Sequence, residues 1–230
     1  MKTRDRILNA SLRLFNERGE RNVSTNHIAA ELGMSPGNLY YHFRNKQALV
    51  AELFNAYSMQ VSEFLALPQG RSLTFSDKVQ YFESIFESMW EYRFFYRDLG
   101  HVINESESLR HAYRQFSSKT VASGKKILLE MRDVGLLDAS DEDVDALMLN
   151  IWVIVTSWPS VLQTLKPVDD QQSQVSREQL RRGIYQVVCL IEPYAGDDKE
   201  ALKDLKIQYL GDQKVDPLWL FDEFAEYYKK

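Results

Sequence analysis

Ser24 to Lys46 reads STNHIAAELGMSPGNLYYHFRNK and carries the start and stop signals of two short helices joined by a tight turn. Ser24 offers a side-chain oxygen to cap the first helix, which leaves Ile28, Ala29 and Leu32 on one face. Gly33 supplies the left-handed conformation that ends it, at no Cβ penalty. Ser35 caps the second helix, and Pro36 sits at its first position, where a missing N–H costs nothing. Leu39 and Phe43 lie one turn apart and point back toward the first helix. The spacing predicts a helix-turn-helix.

The second helix carries the chemistry of a duplex-reading surface. Ser35, Gly37 and Asn38 at its start are short enough for the backbone to approach a base edge or a phosphate. Tyr40, Tyr41 and His42 bring polar tips on rigid rings, Lys46 brings a charge, and Thr25 stands at the start of the neighbouring helix. Contacts of this kind orient a reader on phosphates, while side chains at the helix start read bases in the major groove. Taken singly, Tyr40 and Tyr41 read more simply as packed aromatics. The set as a whole points to DNA.

The run Ile28 to Leu49, IAAELGMSPGNLYYHFRNKQAL, closely resembles the helix-turn-helix signature of TetR-type (TetR/AcrR) transcriptional repressors. Ile7 to Gly19, ILNASLRLFNERG, is similar to that family's first helix, so the resemblance covers about the first 55 residues. It implies an all-α fold: a three-helix DNA-binding domain over residues 1–48 and a helical ligand-binding and dimerisation domain over 49–196; the tail, 197–230, departs from the shortest members of the family and reads as a helical C-terminal extension expected to pack on the body. The resemblance also implies a homodimer that binds a palindromic double-stranded operator and is released by a small-molecule effector. Gly37 and Asn38 then stand near bases, with Ser35, Tyr40, Tyr41, His42, Lys46 and Thr25 as phosphate or positioning contacts. Arg4 and Arg6 in the first helix lie within reach of the DNA backbone, and solvated surface arginines are an equally good reading of them.

Charge is distributed as such a protein requires. The 230 residues carry a formal charge of -5, yet residues 1–60 hold eight Lys and Arg against five Asp and Glu. The polyanion-facing surface is therefore expected to be N-terminal. A single cysteine, Cys189 in VVCLI, excludes an internal disulfide and reads as a buried structural thiol. The start, MKTRDRIL, lacks the apolar core of a secretion signal, so a cytoplasmic location is expected. Ala146 to Leu165 is uncharged and long, but its Asn, Thr, Ser, Pro and Gln residues suit a helix buried in protein better than a lipid-exposed span, and no membrane is expected as a partner.

Apolar periodicity sets out the remaining helices. The first runs from about Thr3 to Arg18, with Ile7, Leu8, Ser11, Leu14 and Phe15 inward, and Gly19 ends it. After Lys46 a long helix reaches about Leu67, with Leu49, Leu53, Ala56, Tyr57 and Phe64 inward. An aromatic stretch from Thr74 to Tyr96 opens with a Thr74/Asp77 capping box, and Arg97 to Asn104 continues it to a break near Glu105–Ser108. Long helices follow over Leu109–Val134, over Glu142–Lys166 (kinked at Pro159) and over Ser176–Pro193, where Gly183 permits close helix approach. The stretch VDDQQSQV reads as a polar loop, Lys199–Leu210 as a charged helix, and Pro217–Tyr228 as an amphipathic segment after a turn at Gly211.

Most of the aromatic side chains fill the core, while Phe82, Phe86, Trp90, Tyr113, Phe116 and Trp152 are candidates to line an effector pocket. Such walls suit an apolar or amphipathic molecule, such as a fatty-acyl compound or a drug. The helix over 142–166 is apolar around its circumference, more than one core covers. Trp152, Val155, Trp158, Leu162, Leu180, Ile184, Val187 and Val188 are the candidate dimer interface. No catalytic residue, metal site or cofactor is expected. The chain has no glycine-rich phosphate loop, His101 and His111 fit no metal spacing, and Asp138–Asp145 lacks the Gly and Glu of a calcium loop. A small-molecule enzyme and an interaction module that does not read DNA remain the competing classes.

Overall fold

The computed structural model describes residues 2–165, 175–196 and 199–210, and every regular element among them is helical. Nearly all of the expected polar loop, and the segment after Gly211, lie outside these residues. The helices are α1 (Thr3–Arg18), α2 (Thr25–Glu31), α3 (Pro36–His42), α4 (Lys46–Phe64), α5 (Phe75–Glu91), α6 (Arg93–Arg97), α7 (Leu99–Asn104), α8 (Glu107–Asp133), α9 (Asp141–Thr164), α10 (Arg177–Ile191) and α11 (Lys199–Leu210). The chain forms two compact units, one of residues 1–64 with 91–120 and one of 65–90 with 121–230.

In the first unit, α1 has the bounds its sequence predicts. Gly19, at φ +87°, stops it and donates its N–H to the Phe15 carbonyl at 2.9 Å. Ile7, Leu14 and Phe15 are buried, as is Ser11, whose hydroxyl donates to the Ile7 carbonyl. Helix α4 buries Leu49, Val50, Leu53, Phe54, Tyr57 and Val61, but Ala56 is exposed and Phe64 only half-buried. The inward face is rotated from the expected one because Phe54 and Tyr57 turn into an aromatic cluster. Phe54 stacks on Phe95 at 5.1 Å between centroids, Phe116 lies edge-on to Phe54 at 5.6 Å, and Tyr113 completes the group. Within it the hydroxyls of Tyr57 and Tyr96 meet at 2.5 Å, and burial pushes both phenols above their usual range.

The aromatic stretch is not one helix. It breaks at Tyr92 and again at Asp98, giving the short α6 and α7. Phe94, Phe95 and Tyr96 are consecutive within α6 and all buried, so this short helix is covered on more than one side rather than along one stripe, since neighbours are about 100° apart. Helix α8 opens two residues before the expected Leu109, with the Ser106 hydroxyl oxygen accepting from the Leu109 N–H.

In the second unit, Thr74 caps α5 and Asp77 answers it. The carboxylate of Asp77 accepts from the Thr74 N–H at 2.8 Å and also takes the Arg71 guanidinium, which holds it well below the usual carboxylate range. Ser140 and Asp143 form the expected capping box at the start of α9. Helix α10 packs on α9 and α11. Gly183 makes the first of these contacts possible: a Cβ there would stand 2.7 Å from the Trp158 ring, whose Nε1–H donates to the Gln179 carbonyl at 3.1 Å. Gly183→Ala is therefore expected to lower the melting temperature. Overpacking of this kind costs about 1–3 kcal/mol, a shift of several degrees that a thermal melt reads directly.

Candidate nucleic-acid interface

The two caps that open the helix-turn-helix are both made. The Ser24 hydroxyl oxygen accepts from the His27 N–H at 3.3 Å, and the Ser24 N–H returns to His27 Nδ1 at 3.3 Å, so an imidazole stands where a glutamate usually closes the box. At the other end of α2, Gly33 has φ +62°, its N–H reaches the Ala30 carbonyl, and the Met34 N–H reaches that of Ala29. These are the two bonds of a Schellman turn. The Ser35 hydroxyl oxygen then accepts from the Asn38 N–H at 3.2 Å, with Pro36 beginning α3.

Packing decides what α3 presents. Leu39 and Phe43 are buried with Ile28 and Ala29 of α2, and the Arg4 guanidinium covers the Phe43 ring at 4.9 Å while pairing with Glu52. Ser35, Gly37 and Asn38 face outward, and Tyr41 is 84% exposed. Gly37 and Tyr41, one turn apart, form a single outward strip beside Asn38. His42 is half-buried with Tyr41 edge-on to its ring at 5.2 Å. Tyr40 is 48% exposed, and its hydroxyl meets that of Thr25 at 2.9 Å, which pins α3 to the first turn of α2.

Lys46 is less free than its sequence suggests. Its ammonium donates to the Glu20 carboxylate at 2.8 Å and to the Glu20 carbonyl at 3.1 Å. A recess of about 520 Å³ opens beside it, lined by Arg21, Ser24, Thr25, His27, Tyr40, Arg44, Asn45 and Lys46 with no carboxylate. Asn45 caps α4 by accepting from the Ala48 N–H at 2.8 Å. Arg44, absent from the expected set, is exposed and has no ion pair among the described residues. Its sequence signal is an interval without acids: no Asp or Glu occurs between Glu31 and Glu52.

The other candidates divide between the units. Tyr113 and Phe116 belong to the aromatic cluster of the first, whereas Phe82, Phe86, Trp90 and Trp152 belong to the second, with only Phe86 fully buried among these four. Of the interface candidates, Leu162, Leu180, Ile184, Val187 and Val188 are buried within the single chain, Val188 completely. Trp152, Val155 and Trp158 are half-buried, and α9 instead exposes Leu149 at 61%, Val153 at 51% and Val161. Helix α9 is long and apolar enough to cross a membrane by length and composition, with 22% of its most apolar window buried. Among the described residues no cluster of three or more metal-binding side chains occurs.

Comparison with known proteins bears on this surface directly. Residues 7–53 match a family model described as bacterial regulatory proteins, tetR family, and residues 56–202 match one described as a bacterial transcriptional repressor. The HTH-type transcriptional regulator UidR of Escherichia coli is 46% identical over 48 residues, 21% of this chain and 24% of UidR. The match thus spans about a quarter of that curated relative's length. A TetR-family transcriptional regulator from Marinobacter aquaeolei, solved by crystallography, is 41% identical, covers 91% of this chain and 99% of its own, and superposes with a TM-score of 0.82. The SmeT–triclosan complex shares the fold at 17% identity and a TM-score of 0.55, over 85% of this chain and 92% of that one.

Proposed function

The chain belongs to the TetR family of bacterial transcriptional regulators, which are DNA-binding proteins rather than enzymes, and from that premise we propose that it is a cytoplasmic homodimeric repressor released from a palindromic operator by a small apolar or amphipathic effector. The division proposed is a reading domain over residues 1–48, an effector-binding and dimerisation domain over 49–196, and a C-terminal extension. The observation that carries the proposal is the outward strip of Gly37, Asn38 and Tyr41 beside a cationic recess free of carboxylates. In this reading the strip enters the major groove, Arg44 and the Thr25–Tyr40 pair hold the flanking phosphates, and Lys46 sets the start of α4 against Glu20. Two such heads on a two-fold axis read an inverted repeat.

A dimer is supported by the exposed Leu149, Val153 and Val161 on α9. A small-molecule effector is supported by the solved relative in complex with triclosan and by the aromatic content of α5. Release requires the effector to prefer a state whose two heads no longer match the groove spacing.

Selection of random duplexes with the purified full-length chain tests the proposal, and enrichment of an inverted repeat is expected. On the recovered duplex, Arg44→Gln is expected to weaken binding evenly across sequence variants and to reduce the salt-dependence slope by about 1. Tyr41→Ala is expected to weaken it about ten-fold and to relax base preference. A pool that stays random, with the chain folded, rules the reading out.

A further inference from the structure

The C-terminal end of α1 is sewn to the break in the aromatic stretch by one side chain. Asn16, only 7% exposed, donates its Nδ2–H to the Glu91 carbonyl at 2.7 Å, the last residue of α5. Its Oδ1 accepts from the Phe94 N–H at 3.0 Å, in the first turn of α6. The residue in the cap position of α6, Tyr92, makes no side-chain capping bond. One backbone group at each cut end of the broken helix is thus paired with an amide from a helix more than seventy residues earlier in the chain. The surroundings reinforce the seam. Phe15 packs on Phe94 at 5.3 Å, the Arg97 guanidinium approaches the Phe15 carbonyl, Arg21 pairs with Asp98, and one Glu20 oxygen lies 3.8 Å from His101 of α7.

We propose that Asn16 is the positioning residue through which the DNA-reading head and the α5–α6 break share one conformational equilibrium, an inference that rests on the DNA-binding reading above. A primary amide with donor and acceptor both engaged holds its partners at two points. If α1 lifts or α6 turns, the part-buried Glu91 carbonyl and the buried Phe94 N–H lose their partners together, which makes intermediate positions costly. The head therefore leaves its seat only when the break rearranges. Anything that moves the last carbonyl of α5 acts on the head through this amide. Coupling of this kind is reciprocal, so DNA on the head steadies the break.

Asn16→Asp tests the bonding rather than the volume. The ionised carboxylate accepts from Phe94 but has no proton for the Glu91 carbonyl, whereas the protonated acid offers one donor and one acceptor, as the amide does. Facing a carbonyl raises the acid's pKa in the seated state, so seating is favoured as pH falls through that raised value. On the duplex recovered by the wild-type chain, the variant is expected to bind about ten-fold more weakly than wild type at pH 8. By pH 5 that gap is expected to narrow at least about three-fold, and Phe94 amide protection in the DNA-free variant to rise in parallel. A wild-type affinity at pH 8, or a deficit that does not change with pH, overturns the proposal. In the wild-type chain, Phe94 is expected to exchange more slowly when the duplex is bound, and unchanged exchange overturns the proposal even if the variant fails to fold. Should the wild-type chain recover no duplex, the DNA reading falls, and the pH dependence of Phe94 protection in the DNA-free variant still decides the role of Asn16.

Discussion

Replacing Gly37 with glutamate is expected to abolish duplex binding, a loss of more than about a hundred-fold, while the melting temperature stays the same or rises slightly. The glycine has no internal reason to be there. Its φ is not positive, and a Cβ would meet only the Ser35 hydroxyl, at 4.0 Å. Glycine within a helix costs about 0.5–1 kcal/mol relative to alanine, and an acidic side chain in a first turn favours the helix. Stability therefore has nothing to lose. Binding does, because the new carboxylate would stand on the strip that Gly37 shares with Tyr41, against a surface of phosphates. Like charges forced together cost several kcal/mol, and each 1.4 kcal/mol is a factor of ten. Fluorescence anisotropy on the selected duplex and a thermal melt separate the two effects. A stable variant that binds within ten-fold of wild type would mean that α3 does not dock by this strip.

The second large effect is expected at α9. Leu149→Asp combined with Val153→Asp is expected to convert the proposed dimer to monomer at micromolar concentration, raising the dissociation constant at least about a thousand-fold. Each fully buried aliphatic side chain contributes about 1.5–3 kcal/mol, and two carboxylates facing their symmetry mates oppose closure further. Both side chains are exposed in the single chain, so the subunit keeps its fold, which far-ultraviolet circular dichroism checks while sedimentation velocity reads the mass. A polar replacement at Val188 would do something else. That side chain is wholly interior, and its loss destabilises the subunit itself. Persistence of a dimer in the α9 variant would send the interface elsewhere.

The reading head was legible because its signals are local. Ser24, Gly33, Ser35 and Pro36 each act within four residues, and every one of these caps and turns is present. What stayed hidden depends on partners distant in sequence. Asn16 and Glu20 look like surface residues beside apolar neighbours; the arrival of residues 91–94 explains the burial of Asn16, and Lys46 with His101 covers Glu20. Ala56 sits at a position that periodicity assigns to the interior, but α4 serves two partners, so its buried stripe turns toward Phe54. The expected interface mixed two kinds of apolar residue. Periodicity marks a helix face as covered without saying whether the cover is the same chain or another, and α10 proves to be covered by α9 and α11. Arg44 carries no local signal of its own, since one exposed cation is ordinary and only the lack of acids from residue 32 to residue 51 sets it apart.

The paired hydroxyls of Tyr57 and Tyr96 constrain how this chain can change over generations. Removing either oxygen strands the other in an apolar interior, where an unmade hydrogen bond costs about 1–3 kcal/mol, whereas removing both leaves two phenylalanines among rings. The path from tyrosine to phenylalanine at these positions therefore passes through a less fit halfway form. Descendants of this sequence should keep both oxygens or have neither, the two sites inherited as a single character.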